Sequence, residues 1–161
     1  MSLPTTASIT VQIAAPASTV YDLIADVTNM GRWSPECHAC DWLDEPGLEG
    51  SHFRGRNRSG AFRWTTEARV LNADRAREFS FATLHKGALA TRWIYRFDGD
   101  DPTTVTETFE AIRTPPLIAF AERYLIRHRQ QQLEEGMRRT LAALKEAAED
   151  VDRPRAADRH A

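Results

Sequence analysis

Between Ser51 and Leu71 two runs of alternating character meet at Ser59-Gly60, a dipeptide that favours a tight turn, so this stretch reads as a β-hairpin. With Ser59 and Gly60 as the turn, Asn57 faces Phe62, Arg56 faces Arg63, Gly55 faces Trp64 and Phe53 faces Thr66. One face then carries Arg54, Arg56, Arg58, Arg63, Glu67 and Arg69, and the other carries Phe53, Gly55, Asn57, Phe62, Trp64, Thr66 and Ala68. Unpaired charge cannot be buried, so the first face is wet and the second is turned inward, with Gly55 read as room for the Trp64 indole. A chain with such a hairpin must build an antiparallel sheet that is covered on one side only. Another element has to supply the cover.

The flanking sequence offers that cover. Ile9, Val11 and Ile13 alternate with polar residues as a first strand, and after Pro16 the apolar residues Val20, Leu23, Ile24 and Val27 fall on one stripe of a short helix. A turn-rich piece, Thr28 to Pro35, follows as a second short helical segment. Strands are expected at 77–84 and 89–97, then from Thr103 to Ile112 after an Asp98 to Pro102 turn. In the last pair Trp93, Tyr95, Phe97, Val105, Glu107 and Phe109 share a phase, whereas the register between 77–84 and 89–97 stays open, because a one-residue change in the turn flips one set. Leu133, Met137, Leu141, Leu144 and Ala148 form one stripe of a long helix ending near Glu149, extended backward by Gln130. Leu117, Phe120, Ala121 and Tyr124 lie on nearly the opposite side, so the 117–125 apolar face is read as a bend or a surface for a second copy of the chain, a homodimer.

The expected organisation is an N-terminal extension (1–7), one domain (8–149) and an unstructured polar tail (150–161). Lys plus Arg number 21 against 23 Asp plus Glu, a formal net charge of −2, which argues against nucleic acid as a partner. No apolar run is long enough to span a bilayer, so membrane insertion is not expected. Met1 to Thr6 lacks the charged and apolar regions of a secretion signal, and a cytoplasmic location is the expectation.

The order strand, helix, short helix, antiparallel strands, long helix carries Ile13-Ala14-Ala15-Pro16-Ala17, Asp26 to Trp33-Ser34-Pro35, Gly50 to Asn57, Arg92-Trp93-Ile94-Tyr95-Arg96-Phe97 and Val105-Thr106-Glu107. As a set these resemble the polyketide cyclase/dehydrase and lipid-transport family of the START-like (SRPBCC) superfamily. The resemblance implies an α+β helix-grip fold, in which a curved antiparallel sheet of six to seven strands wraps a long C-terminal helix, with two short helices after the first strand. It also implies an internal cavity for a hydrophobic ligand. It names no reaction, since that family spans aromatase/cyclases, lipid carriers and receptors.

Glu107 is the most informative acid, because its in-phase neighbours Val105 and Phe109 are apolar and burial makes its ionisation costly. Tyr95 is the partner expected beside it, and the two are the candidate catalytic pair if the chain is an enzyme. Trp33, Trp64, Phe81, Trp93 and Phe109 are the expected aromatic ligand-binding walls, Asn57, Thr66 and Gln130 the polar groups that orient a ligand, and Leu133 and Met137 the helix contribution. Cys37-His38-Ala39-Cys40 is a CxxC, but it leads into a strand rather than a helix, and His52 does not recur at zinc-finger spacing. It is therefore read as two small residues in or near a strand, with neither metal nor cofactor expected.

These residues define three functional readings. The first is a carrier or binding protein for a lipid, polyketide or aromatic metabolite. The second is a cyclase/dehydratase-type enzyme in which Glu107 and Tyr95 transfer protons. The third is a protein-interaction module acting through the 117–125 face.

Overall fold

The structure, a computed structural model, describes residues 6–113 and 129–157. Seven strands form one antiparallel sheet: β1 (Thr6–Ile13), β2 (Cys37–Trp42), β3 (His52–Ser59), β4 (Phe62–Asp74), β5 (Glu78–His85), β6 (Ala88–Gly99) and β7 (Thr103–Ala111). Their spatial order is β1-β7-β6-β5-β4-β3-β2. From β1 the chain crosses to the far edge through helix α1 (Ala17–Ala25) and a 3₁₀ helix (Val27–Arg32), then returns hairpin by hairpin until β7 closes against β1. Helix α2 (Arg129–Ala157) packs on β1 and α1.

The hydrophobic stripes explain that packing. Ala17, Val20, Tyr21 and Ile24 of α1 are buried, and so are Met137, Leu141, Leu144 and Ala148 of α2. All of these except Met137 form one buried cluster with Ile13, Val70, Phe79, Phe97 and Val105, which alternate onto the same concave side of the sheet. Tyr21 stands edge-on to both Phe79 and Phe97, with ring centroids 6.1 and 5.6 Å away. Polar contacts tie α2 to the first strand: Lys145 Nζ donates to the Gln12 carbonyl at 2.8 Å, and the Glu149 carboxylate accepts from the Ala14 amide at 3.0 Å.

The open register is resolved: Phe79 pairs with Tyr95 and Phe81 with Trp93, so both aromatic sets share the concave face. The β3–β4 hairpin differs from the sequence reading by one residue in its turn. Gly60-Ala61, not Ser59-Gly60, form the loop, since Gly60 has φ +59° and Ala61 does not enter the positive-φ region, the pattern of a type II′ turn. The change shifts every partner by two positions and so leaves the faces as expected: Gly55 meets Thr66, Asn57 meets Trp64 and Phe53 meets Ala68.

On the convex face the arginines are solvated and cross-paired, Arg54 with Glu67 and Arg56 with Asp41, both at 2.9 Å. The helical backbone of α2 continues to Ala157, past the boundary near Glu149 that the sequence suggests; once nucleated by its packed half, a helix extends at little cost. Arg153 pairs there with Asp150 at 3.0 Å. The 117–125 face lies outside the described residues.

Candidate functional site

Along each central strand the concave face changes character at about the same level. On β6, Phe97 and Tyr95 are buried while Trp93 and Thr91 are half-buried; on β7, Val105 and Glu107 are buried while Phe109 and Ala111 are half-buried. On β5, Phe79 and Phe81 give way to Thr83, and on β4, Val70 and Ala68 give way to Thr66 and then to Trp64. Half of the concave face is thus dry core under α1 and α2. The other half is a partly accessible floor of aromatic rings and threonines.

Tyr95 and Glu107 sit at the boundary. They are direct cross-strand partners, and the Tyr95 hydroxyl donates to Glu107 Oε1 at 2.8 Å. The Glu107 side chain is 1% exposed and, among the described residues, its second oxygen, Oε2, has no hydrogen-bond partner. Burial pushes its pKa from the ordinary 4.5 up to about 8, against the smaller opposing pull of the Tyr95 hydrogen bond. Burial, with the adjacent Glu107, also holds the Tyr95 phenol well above its ordinary range. At neutral pH the carboxyl is therefore mostly protonated. Because Oε1 already accepts from Tyr95, the acid proton on Oε2 is a donor without an acceptor among the described residues.

The accessible floor is lined as a binding surface would be. Trp93 and Phe109 pack edge to face at 5.0 Å on this floor, whereas Phe81, expected as a wall residue, is buried in the core cluster and stands edge-on to Phe53 at 5.2 Å. Two polar pairs lie among the rings: Asn57 Nδ2 donates to Thr66 Oγ1 at 3.1 Å, and the Thr83 and Thr91 hydroxyls are 2.5 Å apart. Thr83 and Thr91 were not picked out from sequence, although they follow Phe81 and precede Trp93 in the same alternating phase. Once the register is fixed, that phase is enough to find them.

Other expected residues are placed differently. Gln130 is exposed and donates to Glu134 at 3.2 Å, so it turns away from the floor it was expected to line. Trp64 is 40% exposed near the hairpin tip and lies across from Asn57. The space at Gly55 serves the cysteines instead of the indole, since a β-carbon there would sit 3.4 Å from Cys37 Sγ and 3.5 Å from Cys40 Sγ. Trp33 belongs to the main buried cluster, with the Arg32 guanidinium 5.3 Å over its ring. Met137 is buried on α2 and Leu133, one turn earlier, is half-buried.

A groove of about 620 Å³ opens between the hairpin tip and the start of α2, lined by Arg58, Arg63, Glu36, Glu135 and Arg139 among others. It is polar and does not include Glu107 or Tyr95, so the chemistry described above is not located there. Among the described residues no helix is long and apolar enough to cross a membrane.

A curved seven-stranded sheet closed by a long C-terminal helix, with a buried acid–phenol pair under an aromatic floor, defines a helix-grip protein of the START-like type. The chain belongs to the polyketide cyclase / dehydrase and lipid transport family, whose model matches residues 4–149. A search of curated proteins finds no match. Among solved structures, a Polyketide_cyc-like protein from Corynebacterium glutamicum is 33% identical, over 92% of this chain and 88% of its own, with a TM-score of 0.54. The Zhui aromatase/cyclase from a Streptomyces species is 22% identical over 94% of this chain and 96% of its own, with a TM-score of 0.71. A START superfamily protein from Mycobacterium smegmatis is 15% identical over 91% of this chain and 98% of its own, with a TM-score of 0.67.

Proposed function

We propose that the protein binds a hydrophobic or amphipathic small molecule of lipid, polyketide or aromatic-metabolite type on the accessible half of the concave face, as a carrier or binding protein. The observation that carries this reading is Glu107 Oε2, buried and without a hydrogen-bond partner among the described residues. A buried polar group without a partner costs about 1–3 kcal/mol, and a ligand oxygen that accepts from the neutral carboxyl recovers that cost. The rings of Trp93 and Phe109 supply apolar contact, and the Asn57–Thr66 and Thr83–Thr91 pairs offer further polar anchors. The ligand is therefore expected to combine an apolar or aromatic body with a carbonyl or similar acceptor.

A second reading, a cyclase/dehydratase-type enzyme, is favoured by one specific property. With its pKa near 8, Glu107 exchanges protons close to neutral pH, and Tyr95 stands 2.8 Å away to relay or stabilise them. The fold likeness to an aromatase/cyclase is compatible with this.

Native mass spectrometry of freshly purified protein tests the binding claim through a co-purifying molecule that is lost on denaturation. Glu107→Gln separates the two readings. Glutamine keeps a donor but cannot transfer a proton, so altered affinity with no turnover ever detected supports a carrier, whereas intact binding with lost turnover supports an enzyme. A protein that shows neither a bound molecule nor binding of aromatic ketones contradicts both.

A further inference from the structure

In an unbroken strand Cys37 and Cys40, three residues apart, would point to opposite faces. The β2–β3 ladder steps at this point, with Cys37 opposite Asn57 but Ala39 opposite Arg56, so a bulge takes up His38 and returns both thiols to one side. The two sulfurs are 3.3 Å apart, and the Met30 thioether, from the 3₁₀ helix lying over β2, is 3.8 Å from Cys40 Sγ. Gly55, the cross-strand partner of Cys40, leaves the space they occupy. Both cysteines are buried and Met30 is half-buried.

We propose that Cys37, Cys40 and Met30 form a binding site for a soft monovalent metal ion, copper(I). Both thiols are free and hydrogen-bonded to each other, which leaves both available to an ion. A disulfide needs its sulfurs at about 2.05 Å, whereas an ion with metal–sulfur bonds of about 2.3 Å holds them roughly 3.7–4.0 Å apart. At 3.3 Å the thiols are too far apart for a disulfide and open by about 0.4–0.7 Å to hold such an ion, while the 3.8 Å from Cys40 to Met30 already falls in its range. The donor set then selects the ion, because two thiolates with a thioether suit copper(I), while zinc favours four donors drawn from Cys, His and carboxylates. Among the described residues no three His, Cys, Asp or Glu side chains converge, and His38 is exposed, so the third donor is the Met30 sulfur. Binding replaces both thiol protons with one ion and releases them to solvent. The ion ties the 3₁₀ helix to edge strand β2, beside Asn57 on the accessible floor.

The test titrates reduced, full-length protein with copper(I) under anaerobic conditions against bicinchoninate as competitor. One equivalent is expected to be withheld from the competitor, with sulfur-only neighbours near about 2.3 Å in X-ray absorption. Cys37→Ser and Cys40→Ser each abolish uptake, and Met30→Leu, which keeps the side-chain volume, weakens it by about tenfold or more. His38→Ala leaves uptake unchanged. Circular dichroism checks that each variant folds, and Met30→Leu provides the readout should a serine variant unfold. No uptake by the folded, reduced wild type overturns the proposal. So does uptake that survives removal of both thiols, that ignores Met30→Leu, or that shows nitrogen neighbours.

Discussion

Replacing Glu107 by Gln gives a direct reading of how strongly the interior opposes charge. In the unfolded chain the carboxyl titrates near the ordinary 4.5, and in the folded protein near 8. Between those values the native state holds a proton that the unfolded state has released, so stability falls as pH rises, by up to about 1.4 kcal/mol per pH unit. Across a window of about three and a half pH units the loss sums to about 5 kcal/mol, complete only above pH 8, and the full contribution of the neutral acid is present below pH 4.5. Glutamine is neutral throughout and removes the dependence. Urea unfolding of both proteins at intervals from pH 4.5 to 9 should therefore give curves that diverge, with the variant gaining on the wild type as pH rises. Subtracting one from the other cancels every other titrating group. Parallel stability profiles, or a wild type that gains relative to the variant with pH, would refute the reasoning.

Tyr95→Phe removes the hydroxyl that bonds Glu107 Oε1, leaving both carboxyl oxygens without a partner among the described residues, and is expected to lower stability by about 1–3 kcal/mol in urea unfolding and to raise the Glu107 pKa further. Leu141→Ala empties a side chain that is 1% exposed at the α1–α2–sheet junction and should cost about 2–5 kcal/mol, read as a lowered denaturation midpoint at unchanged slope. Gly31→Ala drives a β-carbon into the His38 carbonyl oxygen, so the 3₁₀ helix must lift off β2; a loss of about 3 kcal/mol by thermal or chemical unfolding is expected. Thr83→Val deletes one partner of the Thr83–Thr91 pair on the accessible floor and should change ligand affinity by about 0.5–1.5 kcal/mol while leaving the fold intact, measured by quenching of tryptophan fluorescence.

The sheet was legible because its strands keep a period of two and its turns carry Gly, Asp and Pro. Even a turn misplaced by one residue at Ser59-Gly60 left each side chain of the β3–β4 hairpin on its proper face, since partners move by two. Glu107 and Tyr95 were legible for the same reason: an acid between Val105 and Phe109 cannot face water without exposing both, and phase alone puts Tyr95 beside it. Gln130 was not, because a residue at the start of a stripe follows the helix ideal only while neighbouring elements still cover it, and at that level α2 leaves its side chain in solvent. The gathering of Cys37 and Cys40 was hidden as well. Their spacing in an ordinary strand separates them, and the bulge that joins them is a property of how β2 pairs with β3. The helical reach of α2 to Ala157 escaped composition, which records few apolar residues there but not the packed turns upstream that nucleate it.

The central claim is that a neutral carboxyl waits in the interior for a ligand acceptor, and the carboxyl carbon of Glu107 reports on it. With ¹³C-labelled protein, assigned by comparison with Glu107→Gln, the account predicts a titration midpoint near pH 8 and a shift of the resonance at pH 7 on addition of a naphthyl ketone. A midpoint near the ordinary 4.5, with a resonance that the ketone does not move, would contradict it.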